Sequence, residues 1–152
     1  MSGSIEIRKL DVSEIALAKS LILLFGDDDG NEENFSIPSD EYVSEMLSRA
    51  DFHAIVALEN GRLAGGLTAY EMKMFKRAAN EMFLYEIEVA EPYRQKGIGK
   101  DLVEYLKQIC VGRGIFEMFV GTSKDNRAAR KLYETTGGKP DEDSIWFNYL
   151  FE

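Results

Sequence analysis

The sequence predicts an α/β fold, a mixed central sheet with helices on both faces, built in the order βααβββαβαβ. Three observations predict it. Short apolar or alternating runs bounded by turn residues recur along the chain as strands. Four stretches place apolar residues at helical spacing. A glycine-rich turn, Arg94-Gln95-Lys96-Gly97-Ile98-Gly99, stands between the apolar run 83–90 and the amphipathic stretch 98–111.

Residues 5–10 alternate enough for a first strand. Ser13 is a helix cap for residues up to Phe25, with Ile15, Leu17, Ala18, Leu21, Ile22 and Phe25 in register, and Gly26 stops the helix. Residues 27–38 form a polar loop, and Ser39 or Asp40 caps a second helix that puts Tyr42, Val43, Met46 and Leu47 on one face. Residues 52–58 and 62–71 read as two strands joined across Glu59-Asn60-Gly61, since Asn-Gly between apolar runs favours a hairpin. Residues 73–80 connect to a strand over 83–89. A helix over 98–112 follows, then a strand over 116–122, a short helix over 126–136 ended by Gly137-Gly138, and a last strand over 145–151. No linker, repeat or low-complexity tract divides the chain, so one domain over 1–152 is expected.

Composition narrows the functions. The chain has 152 residues, 45% of them apolar and 11% aromatic, enough for a buried core. Its net charge of −9 leaves no basic stripe for a nucleic acid and suits a cationic partner. Cys110 is the single cysteine and His53 the single histidine, so neither an internal disulfide nor a cysteine–histidine metal cluster is expected. No secretory leader and no membrane-length apolar run is legible, and a cytoplasmic location is expected.

The turn at residues 94–100 carries the chemistry. A strand running into glycines and then a helix leaves free backbone N–H groups at the positive end of a helix dipole, a ready site for phosphate. Gly97 and Gly99 let a pyrophosphate approach the main chain, and Arg94, Lys96 and Lys100 add positive charge. It is neither a P-loop nor a dinucleotide fingerprint, because the following Lys-Ser/Thr and the third glycine are missing. The Arg-x-x-Gly-x-Gly order after Glu88-Val89-Ala90-Glu91-Pro92 resembles the central motif of the GNAT superfamily of acetyltransferases, and the element order matches over nearly the whole chain.

That resemblance implies acetyl-coenzyme A as cofactor, with the pyrophosphate on residues 94–100. It also implies a bulged, splayed strand 83–89 whose main chain, at Ile87 and Val89, binds pantetheine and polarises the thioester carbonyl. Asn126 is a cofactor contact or simply a helix cap. Period-two alternation puts Phe83, Tyr85, Ile87 and Val89 on one face and Leu84, Glu86 and Glu88 on the other. Carboxylates in a central strand ask for a cationic neighbour, so Glu86 first and Glu88 second are the expected bases for an ammonium substrate. Tyr133, on the stripe of Ala129, Leu132 and Thr136 and within the Leu-Tyr pair common in the superfamily, is the expected proton donor to the leaving thiolate.

Asp27, Asp28, Asp29, Glu32 and Glu33 crowd the loop between the first two helices, which in the resembled fold walls the acceptor site. Leu24-Phe25-Gly26, Ser39-Asp40-Glu41-Tyr42, Gly65-Gly66-Leu67-Thr68-Ala69-Tyr70-Glu71 and Phe83-Leu84-Tyr85-Glu86-Ile87-Glu88-Val89 are similar to the aminoglycoside 3-N-acetyltransferases of that superfamily. Those enzymes carry Asp at the position of Glu86 and tend to have Asp-Pro where this chain has Asn126-Arg127. The likeness implies acetylation of the 3-amino group of 2-deoxystreptamine in drugs such as gentamicin, a resistance activity, by direct transfer in a ternary complex. Polyamines, peptide amines or protein lysines are the alternative acceptors, and a non-catalytic acyl-coenzyme A-binding module is the remaining one. A homodimer is expected, with the apolar residues Trp146, Phe147, Tyr149 and Phe151 as its interface or as strand core.

Overall fold

A computed structural model describes residues 4–26 and 35–151. The chain divides into two compact units, Met1–Gly121 and Thr122–Glu152. The first holds β1 (Ile5–Lys9), α1 (Ile15–Phe25), α2 (Asp40–Leu47), β2 (Phe52–Glu59), β3 (Arg62–Lys73), β4 (Asn80–Val89), α3 (Ile98–Gly112) and β5 (Glu117–Phe119). The second holds α4 (Arg127–Thr135). The five strands form one sheet in the order β1-β2-β3-β4-β5, antiparallel except for the parallel β4–β5 pair.

Local chemistry explains most elements. Asn60 (φ 53°) and Gly61 (φ 79°) supply the two left-handed residues of a tight hairpin between β2 and β3. Ser39 caps α2, its Oγ accepting the Tyr42 N–H at 3.2 Å. Gly26 (φ 64°) ends α1. The expected cap of α1 differs: Glu14 occupies that position without a side-chain cap, because the Asp11 carboxylate takes the Ser13 N–H and hydroxyl and Arg8 engages Glu14.

Both faces of the sheet are covered. Phe52, Ala54 and Val56 of β2 form one core with Ala18 and Leu21 of α1 and Val43 and Leu47 of α2. On the other face α3 presents Ile98, Leu102, Val103, Leu106 and Cys110, all buried, to β2, β3 and β4. Each fully buried Leu or Ile on these faces contributes about 2 kcal/mol by leaving water. Gly66 is where α1 comes closest: a Cβ there would stand 2.5 Å from Leu21 Cδ1 and 2.9 Å from the Ile55 carbonyl oxygen. Gly66→Ala should therefore cost about 2 kcal/mol through overpacking, read as a lower urea midpoint at an unchanged slope.

Two expectations about strands need correction. Residues 145–151 form no strand. Ile145, Trp146, Phe147, Tyr149, Leu150 and Phe151 are exposed, so the apolar pattern finds no cover within the second unit. The alternation in β4 is also broken. Ala69 pairs with Leu84 but Thr68 pairs with Glu86, so Tyr85 is an extra, bulged residue. The bulge shifts the phase: Phe83, Glu86 and Glu88 pair with Tyr70, Thr68 and Gly66 on the α1/α2 face, while Met82, Leu84 and Ile87 lie on the α3 face.

Candidate active site

The bulge delivers Glu86 to a cavity of about 170 Å³ in the first unit, between α1, α2 and the sheet. Its wall is apolar, with the four aromatic residues Phe25, Tyr42, Phe52 and Tyr70 set among aliphatic side chains, and Thr68 and Glu86 are its polar members besides the two tyrosine hydroxyls. Tyr70 is held by ring contacts to Phe52 (5.2 Å between centroids) and edge-on to Tyr85 (5.6 Å). Burial, and then the nearby Tyr85, Tyr42 and Glu86, raise the Tyr70 hydroxyl above its ordinary pKa, so it stays a hydrogen-bond donor. A carboxylate at the end of an aromatic slot can receive an ammonium whose carbon skeleton lies on the rings. Tyr42 and Tyr70 were missed from sequence; the hairpin register, which sets Tyr70 opposite Phe52, was the signal that could have found Tyr70.

Next to this cavity, β4 opens. The parallel ladder to β5 covers only Glu81–Phe83 against Glu117–Phe119, secured by stacking of Phe83 on Phe119 at 4.8 Å. Ile87 and Val89 lie beyond the last pair of this ladder, where the main chain of β4 is not bonded to β5. Beyond Val89 a 3₁₀ turn (Glu91–Tyr93) leads into the glycine turn, where Gln95 (φ 63°) and Gly97 (φ 83°) are both left-handed. Gly97 caps α3 with no side-chain bond to the first N–H groups of the helix. Left-handed residues just before a helix fold successive N–H groups toward one point, an anion-binding nest. The turn thus fits a pyrophosphate, and Lys96 and Lys100 flank it.

The other expected residues fall as follows. Glu88 is on the Glu86 face, but its carboxylate accepts from Arg94 (Nη2 to Oε1, 3.2 Å). Asn126 caps α4, its Oδ1 accepting the Ala129 N–H at 3.1 Å. Tyr133 is half-buried in the second unit, and burial raises its hydroxyl pKa above 10. The same unit has a hollow of about 350 Å³ lined by Lys124, Arg127, Arg130, Lys131, Glu134 and Thr135, a concentration of cations that sequence reading passed over. Asp27, Asp28, Asp29, Glu32 and Glu33 lie outside the described residues. Cys110 is buried, its thiol pushed up by burial, and His53 is buried against Glu71, so neither reaches the cavity.

The glycine turn at the start of α3 and the pocket that holds the Glu86 carboxylate are compatible with a transferase that binds an anionic donor and a cationic acceptor. Residues 20–137 match the profile of the acetyltransferase (GNAT) family, and the chain belongs to that family, whose acyl donor is acetyl-coenzyme A. Among curated relatives, an uncharacterized N-acetyltransferase, YycN, of Bacillus subtilis (strain 168) is 40% identical over 57 residues, covering 38% of this chain and 36% of that protein. A glucosamine 6-phosphate N-acetyltransferase of Arabidopsis thaliana is 27% identical over 90% of this chain and 91% of its own length. Among solved structures, an aminoglycoside acetyltransferase from an uncultured soil metagenomic sample, in complex with sisomicin, superposes with TM-score 0.89 at 27% identity over 97% of each chain. A second such enzyme from the same kind of source has TM-score 0.89 and 30% identity over 98% of this chain and 99% of that one.

Proposed function

We propose that this N-acetyltransferase acts on aminoglycosides, at the 3-amino group of the 2-deoxystreptamine ring, by direct transfer with both substrates bound. The observation that carries the reading is the placement of Glu86 by the β4 bulge at the end of the aromatic pocket, beside the open strand edge. Likeness to sisomicin-bound and other aminoglycoside acetyltransferases over nearly the full chain supports the substrate class.

When bound, acetyl-coenzyme A supplies an activated acetyl thioester. Main-chain N–H groups of Gln95, Lys96, Gly97, Ile98, Gly99 and Lys100 would hold its pyrophosphate, and Ile87 and Val89 would offer main-chain groups to pantetheine. The Val89 amide N–H would be the group to polarise the acyl carbonyl, an effect worth roughly 3 kcal/mol in such sites. Asn126 adds a cofactor contact. Glu86 receives the acceptor ammonium and takes its proton, directly or through one water. Tyr133 donates its phenolic hydrogen toward the departing sulfur, and its raised pKa keeps that hydrogen in place. Tyr133→Phe should lower turnover about tenfold while leaving the Michaelis constant for the amine unchanged. The acidic residues Asp27, Asp28, Asp29, Glu32 and Glu33 attract the polycation.

A second reading, a phosphorylated amino sugar as acceptor, is favoured by the Arabidopsis relative alone. Mass analysis of products from sisomicin, gentamicin, glucosamine 6-phosphate, spermidine and a lysine peptide separates the readings. A single acetyl on the deoxystreptamine ring supports the first; acetylated glucosamine 6-phosphate with untouched drugs replaces it. The same reading includes a homodimer, with Trp146, Phe147, Tyr149, Leu150 and Phe151, exposed within the second unit, as its interface. Light scattering should give twice the chain mass, and Trp146→Asp with Phe147→Asp should give the monomer. A wild-type chain of single mass contradicts the dimer.

A further inference from the structure

Arg94 leads into the glycine turn, yet its side chain turns back to the strand. Its Nε donates to the Val89 carbonyl oxygen at 2.9 Å, and its Nη2 donates to Glu88 Oε1 at 3.2 Å. One guanidinium therefore bridges the turn to the last two residues of β4. We propose that Glu88 and Arg94 are positioning residues, a strap that ties the coenzyme turn to the open end of β4, with Arg94 acting on the strand and not on a coenzyme phosphate. The inference rests on the turn being the coenzyme cradle, and it moves Glu88 out of the acceptor site.

The open strand end needs such a strap. Past Phe83 the ladder between β4 and β5 ends, so β5 does not hold the last residues of β4. On the other flank β3 holds it: the Ala90 N–H donates to the Ala64 carbonyl at 2.8 Å, and Gly65 packs so closely that a Cβ would stand 2.9 Å from the Glu88 carbonyl oxygen. Arg94 supplies a further fixed point at Val89, the residue whose amide the proposed function assigns to the acyl carbonyl. Its own backbone is extended (φ −72°, ψ 158°), and its N–H is used by the Glu91 carbonyl at 3.2 Å. The donors that can face an anion therefore begin at left-handed Gln95 and Gly97. With side chains 55% and 39% exposed, the Arg94–Glu88 pair adds little to stability, so its removal leaves a folded chain. What it fixes is geometry: the guanidinium fork spans two oxygens on different groups, which a lysine ammonium does not reproduce.

Three variants test this: Arg94→Gln, Glu88→Gln and the double substitution, each assayed for turnover, for amine Michaelis constant and for calorimetric coenzyme A affinity at two salt concentrations. A strap predicts that each single variant loses turnover by about fivefold and that the double loses no more, because either change breaks the same link. Coenzyme A affinity should stay within about threefold with an unchanged salt dependence, and Arg94→Lys should behave as Arg94→Gln. Hydrogen exchange at the Ala90 amide, which donates to the Ala64 carbonyl, should speed alike in all variants, a readout that needs no acceptor and stands even if no aminoglycoside is acetylated. Unchanged exchange overturns the proposal. So does an Arg94→Gln variant that alone loses more than about tenfold in coenzyme affinity, since that marks a direct phosphate ligand. A Glu88→Gln variant with only a raised amine Michaelis constant returns Glu88 to the acceptor site and equally overturns it.

Discussion

Glu86→Gln should lower turnover roughly 100- to 1,000-fold while leaving coenzyme A affinity within about twofold, because a lost general base costs in that range and the coenzyme is held by main chain. The amide fills the same space and still bonds to its surroundings, but it neither attracts an ammonium nor accepts a proton. Glu86→Asp, the residue found in the aminoglycoside enzymes that the sequence resembles, keeps the carboxylate and should recover most of the loss. Steady-state kinetics with calorimetry on the three proteins reads both effects. If Glu86→Gln turns over within a few-fold of wild type, Glu86 is not the base, and the role assigned to the β4 bulge goes with it.

The second large effect concerns stability, at the far end of the sheet from the glycine turn. Glu71 of β3 is 7% exposed, and its carboxylate meets both Arg113 nitrogens (Nε at 2.6 Å, Nη2 at 3.1 Å), Asn80 Nδ2 at 2.7 Å and His53 Nε2 at 3.2 Å. Lys9 Nζ lies 2.9 Å from His53 Nδ1, which leaves the ring proton on Nε2 for Glu71. Strands β1 to β4 and the cap of α3 thus share one buried charge. Burial alone would raise the Glu71 carboxyl, but hydrogen bonds from Arg113, Asn80 and His53 override it and hold the pKa at about 2. Glu71→Ala should cost about 3 kcal/mol, the range for breaking a buried pair, moderated because Arg113 can reach water.

The pH dependence has two parts. Burial, and then the Lys9 charge, lower the His53 pKa below 6.5, so the unfolded chain binds that proton more readily. Stability from neutral His53 is complete above pH 6.5 and is lost as the pH falls below it. Stability from ionised Glu71 is complete above pH 4.5 and is lost as the pH falls from there toward 2. Urea unfolding at pH 7.5, 5.5 and 3.5 should therefore show wild type weakening in both intervals. Glu71→Ala should start weaker and lose the lower interval, and His53→Gln should lose the upper one. An alanine variant within about 1 kcal/mol of wild type at pH 7.5 contradicts this account of the cluster.

Features encoded by neighbouring residues were legible in the sequence; those made by distant pairing were not. Asn60-Gly61, Ser39, Gly26 and Gly97 announce their turns and caps because each answers a local backbone demand, and the order of elements through α4 follows from periodicity. The resemblance implied a bulge in this strand, but its position at Tyr85 is silent in the residues, since period-two reading runs straight through an extra residue and puts Glu86 on the face of Leu84. Its partner Thr68 reveals the shift only once the strands pair. The Glu71–Arg113 bond joins residues 42 positions apart and has no sequence signature. Residues 145–151 read as a strand because they are apolar, but a strand also needs a partner edge, and the second unit by itself holds none among its described residues. In the site, Glu86 was legible as a carboxylate out of place, whereas the aromatic wall of Tyr42 and Tyr70 required the β2–β3 register and the packing of α2.

The most direct test of the central claim is a calorimetric titration of the chain with coenzyme A, repeated for Gly97→Val. The account predicts one site per chain, with a dissociation constant on the order of micromolar to tens of micromolar for wild type, as befits a working cosubstrate. The valine variant, whose Cβ opposes the left-handed conformation at that position, should bind at least about tenfold more weakly. No heat from wild type, or equal binding by both proteins, would contradict a coenzyme held by the main chain of residues 94–100.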